Sequence, residues 1–237
     1  MNISFVFPCH NEAANIKKLL GRADAFAKDV CERYELIIVN DGSTDQTSQL
    51  VENFIITNPH VRLISHDACR GYGEALISGF NGARHDFIFY TDGDLQFDVR
   101  ELRPYLSWMN ERTILSGYRQ SRKDPFFRKI NAGIFNAAVR ICYRVSIRDI
   151  DCAFKVYPRS AVEKMQLISR GAMIDTEMLT KGRMLGLTIR QFPVTHYPRA
   201  RGVQSGAKPS VILRAMKEFV VLWFKTVQWE KSLKVLK

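Results

Sequence analysis

The chain has 237 residues, 46% hydrophobic and 25% charged, with 14 Gly and 8 Pro. That composition excludes collagen-like, low-complexity and disordered classes and suits one large domain with a sizeable core. Net charge is +11 but unevenly split, −6 over residues 1–111 and +17 over residues 112–237. An acidic half joined to a basic half points to an anionic partner gathered by the second half, and nucleic acid, an anionic membrane and a phosphorylated substrate all satisfy that requirement.

The start, Met-Asn-Ile-Ser-Phe-Val-Phe-Pro, has no basic lead-in and breaks at Pro8, so a secretory leader is not expected. Ile3 to Pro8 reads as a buried strand, followed by helical periodicity from about Ala13 to Ala27. Tyr34 to Asn40 is a second strand, and Thr44 to Asn58 carries the next helix with Leu50, Val51 and Phe54 as its apolar positions. Val61 to Ser65, Gly73 to Ala83 and Phe87 to Thr91 complete the alternation as strand, helix and strand. Strands alternating with helices indicate right-handed βαβ units and a mostly parallel sheet. The last segment, Pro209 to Lys237, reads as a basic helix with Trp223 and Trp229 and an apolar middle, Phe219 to Phe224. That middle is far short of the roughly 20 residues of a spanning helix, so the helix is expected to lie on a membrane surface or to pack on the domain or a partner subunit. The five cysteines are odd in number and form no CxxC pair. They read as reduced thiols of a cytoplasmic protein.

In such sheets ligands bind beyond the carboxyl ends of the strands, and three of these ends are polar and acidic. The first is followed by Pro8-Cys9-His10-Asn11-Glu12, the second by Asp41-Gly42-Ser43-Thr44-Asp45 and the fourth by Asp92-Gly93-Asp94-Leu95-Gln96. Taken alone, the second turn is equally well an ordinary turn with Ser43 or Thr44 capping the next helix. Asp92 and Asp94 are harder to dismiss, since two carboxylates this close repel unless a cation lies between them. With Gln96 they offer hard oxygen ligands of the kind Mg²⁺ or Mn²⁺ takes. Arg70-Gly71-Tyr72-Gly73 opens a helix with two glycines, a weak signal for an anion at a helix start, and it fits neither GxGxxG nor the P-loop pattern.

Together these turns resemble family 2 glycosyltransferases with a GT-A fold, nearest the dolichol-phosphate mannose synthase-like, polyprenyl-phosphate branch. The resemblance is carried by residues 7–12, 39–45, 70–76 and 91–96, then by 116–119, 151–155, 175–179 and 192–202, in order over residues 2–208. It implies an α/β GT-A domain over residues 1–208, with a nucleotide-sugar and metal half (1–111), an acceptor half (112–208) and an appended amphipathic helix (209–237). It further implies that Pro8, Glu12 and Asp41 line the nucleoside pocket of a UDP- or GDP-linked donor, and that Asp92, Asp94 and Gln96 hold Mg²⁺ or Mn²⁺. Arg119 and Arg128 would face the reacting and acceptor phosphates, and Arg199 and Ser205 would lie on a loop over the donor diphosphate. That loop is longer by one residue before Ser205 than the usual pattern.

The implied reaction moves one sugar, with inversion, to a polyprenyl phosphate. Such an acceptor is already an anion and needs arginines rather than a base, and residues 119–148 supply eight Lys and Arg. A hydroxyl acceptor on a lipid, glycan or metabolite is the alternative; it would need a base, with Asp149, Asp151 or Glu177 as candidates. A sugar nucleotidylyltransferase would require a Gly-rich basic loop that residues 7–20 lack. A nucleic-acid-binding module would leave the acidic strand ends unexplained. The expected setting is the cytoplasm, with peripheral attachment to a membrane face.

Overall fold

A computed structural model describes residues 1–120, 137–198 and 209–235. Its frame is one seven-stranded sheet in the order β3-β2-β1-β4-β6-β5-β7. The strands are β1 (Asn2–Cys9), β2 (Arg33–Asp41), β3 (Val61–His66), β4 (Phe87–Thr91), β5 (Thr113–Gln120), β6 (Phe154–Pro158) and β7 (Thr188–Thr195). β6 runs antiparallel to both β4 and β5, while the other pairings are parallel. The sheet therefore runs through both the acidic and the basic half of the chain.

β1, β2 and β4 are near-continuous apolar runs because they are covered on both faces, whereas the edge strand β3 is only partly buried. Ile3, Phe5, Val6, Phe7, Leu36, Ile37, Ile38 and Val39 have no accessible surface. Between them lie α1 (Ala13–Val30), α2 (Thr47–Thr57) and α3 (Tyr72–Gly82). The chain steps outward from β1 to β2 and β3 through α1 and α2, then returns through α3 to β4 on the other side of β1. Right-handed crossovers put α1 and α2 on one face and α3 on the other. The direction of winding thus reverses between β1 and β4, which opens a crevice at their carboxyl ends.

The 3-10 helix η1 (Val99–Trp108) follows β4, and helical residues 137–143 (α4) precede the approach to β6. After β6 come α5 (Arg159–Met165) and α6 (Ile174–Met184). The last helix, α7 (Pro209–Val235), packs against α6. Among the described residues no helix is long and apolar enough to cross a membrane.

The observed strands agree with the expected ones to within a residue at each end, but α2 begins three residues later than Thr44. The cause is a clip between the first two strand-end turns. Asn11, held at φ 57°, accepts at Oδ1 from the N–H of Thr44 (2.8 Å) and of Asp45 (3.3 Å), and its own N–H donates to Ser43 Oγ (2.9 Å). Ser43 and Thr44 are thereby spent on the turn. Asp45, one residue before the Gln46 cap, instead ties the two helix starts together, accepting from Thr47 N–H (2.9 Å) and from Ala13 N–H at the start of α1 (3.1 Å).

Gly42 sits at φ +62°, and a Cβ there would lie 2.4 Å from the backbone of Ala68 and Cys69. Gly42→Ala is expected to cost about 1–3 kcal/mol from the forced left-handed backbone and the clash with a neighbouring main chain. Urea denaturation of the variant checks this.

Candidate active site

The crevice between β1 and β4 is where the acidic turns meet. β4 ends at Thr91, so Asp92, Gly93 and Asp94 form the turn directly above its carboxyl end. Gly93 is required for close approach, since a Cβ there would sit 2.5 Å from Cys9 Sγ at the end of β1. Asp94 is buried and accepts at Oδ1 from Gln96 N–H (3.0 Å), with Leu95 between them at φ 62°. This tight turn presents both carboxyl groups to the same crevice.

Asp92 is electrostatically the least comfortable group there. Burial, then the neighbouring charge of Asp94, push its carboxyl up to about 7, against a partly offsetting hydrogen bond from Tyr72. Its Oδ1 is buried with no hydrogen-bond partner among the described residues. A buried carboxylate oxygen without a donor, beside a second carboxylate, is the donor set of a hard divalent cation. Asp92 and Asp94 therefore fit Mg²⁺ or Mn²⁺. Gln96 is tied in differently, with its amide N–H donating to the carbonyl of Tyr197 (3.2 Å) while Tyr197 N–H returns to the Gln96 carbonyl (2.8 Å). Among the described residues no three His, Cys, Asp or Glu side chains form a ready-made metal cluster.

The raised Asp92 carboxyl has a stability consequence. In the folded protein it keeps its proton up to about pH 7, whereas an unfolded chain releases it near 4, so the folded state binds more protons across that window. In chelator, stability is expected to fall as pH rises from about 4 to 7, by at most about 4 kcal/mol at about 1.4 kcal/mol per tenfold change in proton affinity. Mn²⁺ at pH 8 is expected to recover stability, and Asp92→Asn to flatten the profile. Urea denaturation at pH 5 and pH 8, with and without Mn²⁺, checks all three.

A second layer of charge lies behind the pair. Asp175, at the start of α6, accepts from Lys155 Nζ (2.7 Å) and from the hydroxyl of Tyr90. Lys155 has no accessible surface and spends its other protons on the carbonyls of Ile150 (2.9 Å) and Cys152 (2.5 Å). One buried ammonium thus ties the 150–152 turn to α6 and offsets charge near Asp92. Asp151 lies in that turn. Its side chain reaches solvent, yet the dense packing around it, then the charges of Asp175 and Asp149, push its carboxyl up to about 6.

Arg119, at the end of β5, is clamped bidentately by Asp149, with Nε and Nη2 each 2.7 Å from a carboxylate oxygen. Burial works against the guanidinium's charge, but Asp149 more than compensates and raises its proton affinity above the ordinary arginine value. Arg148 is exposed and stacks over Tyr118 at 4.7 Å, and Arg144 is exposed. Arg128, Arg199 and Ser205 lie outside the described residues.

Two expectations are corrected by position. Glu177 has no accessible surface, and both its oxygens are engaged by the N–H groups of Ile168 and Ser169 (2.7 Å for Ser169) and by Lys181 Nζ (2.6 Å). It anchors a loop and is not placed to take a proton from a substrate. The helix start at Arg70–Gly73 offers no anion cradle either. The N–H groups of Arg70 and Gly71 go to Asp41 (2.8 and 2.9 Å), and that of Gly73 goes to the Arg170 carbonyl (3.1 Å). The anion in this nest is Asp41 itself. Burial alone would push its carboxyl up, but Arg70 N–H, His66 Nδ1 (2.7 Å) and Gly71 N–H outweigh burial and hold it below the usual range.

At the neighbouring turn, Pro8 is buried, and Glu12 is buried with Asn15 Nδ2 at 2.6 Å. Lys155, Tyr72 and Asp175 are site residues that sequence reasoning did not select. Asp175 and Glu177 share one short motif, and two helical positions differ by about 200° around the axis, so only one of them can face the crevice.

Comparison with known proteins agrees with this fold. Residues 4–166 match glycosyl transferase family 2. The chain is 28% identical over 224 residues to an undecaprenyl-phosphate 4-deoxy-4-formamido-L-arabinose transferase of Pseudomonas fluorescens, covering 92% of this chain and 64% of that protein. It is 29% identical over 207 residues to a dodecaprenyl-phosphate galacturonate synthase of Rhizobium johnstonii, covering 86% and 61%. The chain thus spans less than two thirds of the length of these relatives. Its fold is similar to glucosyl-3-phosphoglycerate synthase from Mycobacterium tuberculosis in complex with UDP, with a TM-score of 0.67 at 21% identity over 95% of this chain and 79% of that one. It is also similar to a mannosyltransferase from Pyrobaculum calidifontis in complex with GDP-Man and Mn²⁺, with a TM-score of 0.63 at 20% identity over 84% and 58%. The mixed sheet and its flanking helices are of the GT-A type. With the match spanning well over half its length, the chain belongs to glycosyl transferase family 2.

Proposed function

We propose that this protein transfers a single sugar from a UDP- or GDP-linked donor to a polyprenyl phosphate, with inversion at the anomeric carbon. The observation that carries the reading is the Asp92–Asp94 pair at the winding reversal, one oxygen of which is buried without a donor. The named activities of the relatives support the lipid-phosphate acceptor.

Asp92 and Asp94, with the Gln96 amide oxygen nearby, would hold Mg²⁺ or Mn²⁺. When bound, that cation supplies positive charge to the diphosphate as it leaves. The turns carrying Pro8, Glu12 and Asp41 would line the nucleoside pocket. A phosphate oxygen of the acceptor would attack the anomeric carbon while the bond to the nucleotide diphosphate breaks; the acceptor's negative charge makes a base unnecessary. Arg119 would turn a guanidinium edge toward the phosphates while Asp149 fixes its plane, and Arg128, Arg199 and Ser205 would contribute from outside the described residues. Lys155 and Asp175 would brace the crevice from behind. The enzyme would work as a peripheral protein on the cytoplasmic face of a membrane, where such acceptors are embedded.

A second reading has its own observation. The Asp151 carboxyl, raised to about 6, is tuned as a base would be, and it favours a hydroxyl acceptor. Release of nucleotide diphosphate in the presence of Mn²⁺ separates the two. The main reading expects release driven by polyprenyl phosphate and stopped by EDTA, with polyprenol inert. Release driven by polyprenol, and lost in Asp151→Asn, would overturn it in favour of the second.

A further inference from the structure

Among the described residues, the contacts that hold α7 to the domain lie along one side. Leu222 and Thr226 are buried, the Tyr143 hydroxyl donates to the Phe219 carbonyl (2.5 Å), and Trp223 Nε1 donates to the Cys142 carbonyl (3.1 Å). On the same side Lys181 Nζ lies 5.2 Å from the centre of the Trp229 ring. These contacts set the rotation of the helix about its axis. The side turned outward is nevertheless apolar. Met216 is 64% exposed, Val220 53%, Val221 54% and Phe224 57%. Residues 216, 220 and 224 follow at four-residue intervals and form one stripe along the helix. Ile141 of α4, next to the Cys142 carbonyl that Trp223 holds, adds a side chain 79% exposed. A contiguous apolar face of this kind on a charged protein marks an interaction surface.

The charges beside the stripe identify its occupant. Lys217, Lys225 and Lys231 of α7 and Arg140 and Arg144 beside Ile141 are exposed, while the helix's described acidic residues, Glu218 and Glu230, are partly buried. A second copy of the chain would bring the same lysines face to face across a two-fold axis, so self-association is disfavoured. An anionic lipid surface complements both features, since aliphatic and aromatic side chains enter the acyl boundary while Lys and Arg remain at the headgroups.

We propose that the outward face of α7, continued by Ile141 of α4, docks this protein flat onto an anionic bilayer. The proposal extends the reading of a membrane-embedded acceptor but rests on this surface alone. Docking is reversible in this form, since a shallow apolar stripe adds to lysine attraction without any spanning segment.

The test is co-sedimentation of the full chain with vesicles of phosphatidylcholine alone or of equal parts phosphatidylcholine and phosphatidylglycerol. Binding is expected to the mixed vesicles and to be about tenfold or more weaker to the neutral ones, each basic residue at an anionic surface contributing about 1 kcal/mol. The double variant Val220→Glu, Phe224→Glu is expected to lose binding to both. Lys217→Glu, Lys225→Glu is expected to weaken binding to mixed vesicles by about tenfold or more and to flatten its salt dependence. All four positions are exposed, so unchanged thermal unfolding is expected in both variants. Turnover of a short, water-soluble polyprenyl phosphate should persist in both.

Failure of the wild-type chain to bind either vesicle would overturn the proposal, as would binding indifferent to the Val220→Glu, Phe224→Glu pair. So would a solution dimer that this pair converts to monomers, because a second copy would then be the occupant. Loss of transfer to every acceptor with vesicle binding retained would count against the proposed reaction and leave this surface assigned.

Discussion

Asp94→Ala is expected to lower divalent-cation-dependent release of nucleotide diphosphate by about 10³-fold or more, a barrier increase of about 4 kcal/mol. Asp94 is buried at the carboxyl end of β4 and shares the crevice with Asp92, so its loss removes half of the carboxylate pair. The fold should survive. The Asp94 carboxylate accepts a local hydrogen bond from Gln96 N–H, whereas the turn itself is held by the close fit of Gly93 against Cys9. Burial is the larger cause of the raised Asp92 carboxyl and remains in the variant, but removing Asp94 removes the second cause, so the variant should be somewhat less sensitive to pH between 5 and 8 in chelator than the wild type. Steady-state assays with a titration of Mn²⁺, alongside urea denaturation, check both parts. Undiminished turnover in Asp94→Ala would remove the pair from the mechanism.

Arg119→Ala carries the second large expected effect, and it falls on stability as well as on transfer. The guanidinium is the bidentate partner of Asp149, and both side chains are largely buried. Removing one member of a buried pair leaves the other charge uncompensated and costs about 3–5 kcal/mol. Asp149 also accepts Arg119 N–H (3.1 Å), so the end of β5 and the 149–151 turn should loosen together, disturbing Asp151 and the backbone carbonyls that hold Lys155. Arg119→Lys keeps the charge but not the two-pronged geometry, and an intermediate loss is expected. Chemical denaturation of both variants, read beside transfer rates at a temperature where each is folded, separates the two contributions. An Arg119→Ala protein as stable as the wild type would contradict the clamp.

The first half of the fold is legible in the sequence because its physics is local. Apolar runs bounded by polar turns specify β1 to β4, and the alternation with helices specifies their mostly parallel pairing. Convergence of the acidic turns follows from one general property, that strand ends of a doubly wound sheet share one edge.

What was not legible depends on contacts between distant residues. The late start of α2 comes from Asn11, 33 residues before Thr44, and nothing local in Ser43-Thr44-Asp45 announces it. Gly71 and Gly73 look like a phosphate cradle until Asp41 is seen to occupy it. Lys155 reads as one more cation of the basic half. Its burial follows from β6 running antiparallel between β4 and β5, a direction that periodicity does not encode. The choice of Asp175 over Glu177 was within reach of helical geometry, but only the packing of α6 says which of the two faces inward.

The most direct test of the account is mass spectrometry of the organic phase after the full chain is incubated with Mn²⁺, a polyprenyl phosphate and a panel of UDP- and GDP-linked sugars. The expected product is a new lipid whose mass equals polyprenyl phosphate plus one sugar residue, absent with EDTA and absent in Asp94→Ala. Sugar transferred to a hydroxyl acceptor, with polyprenyl phosphate left unmodified, would contradict it.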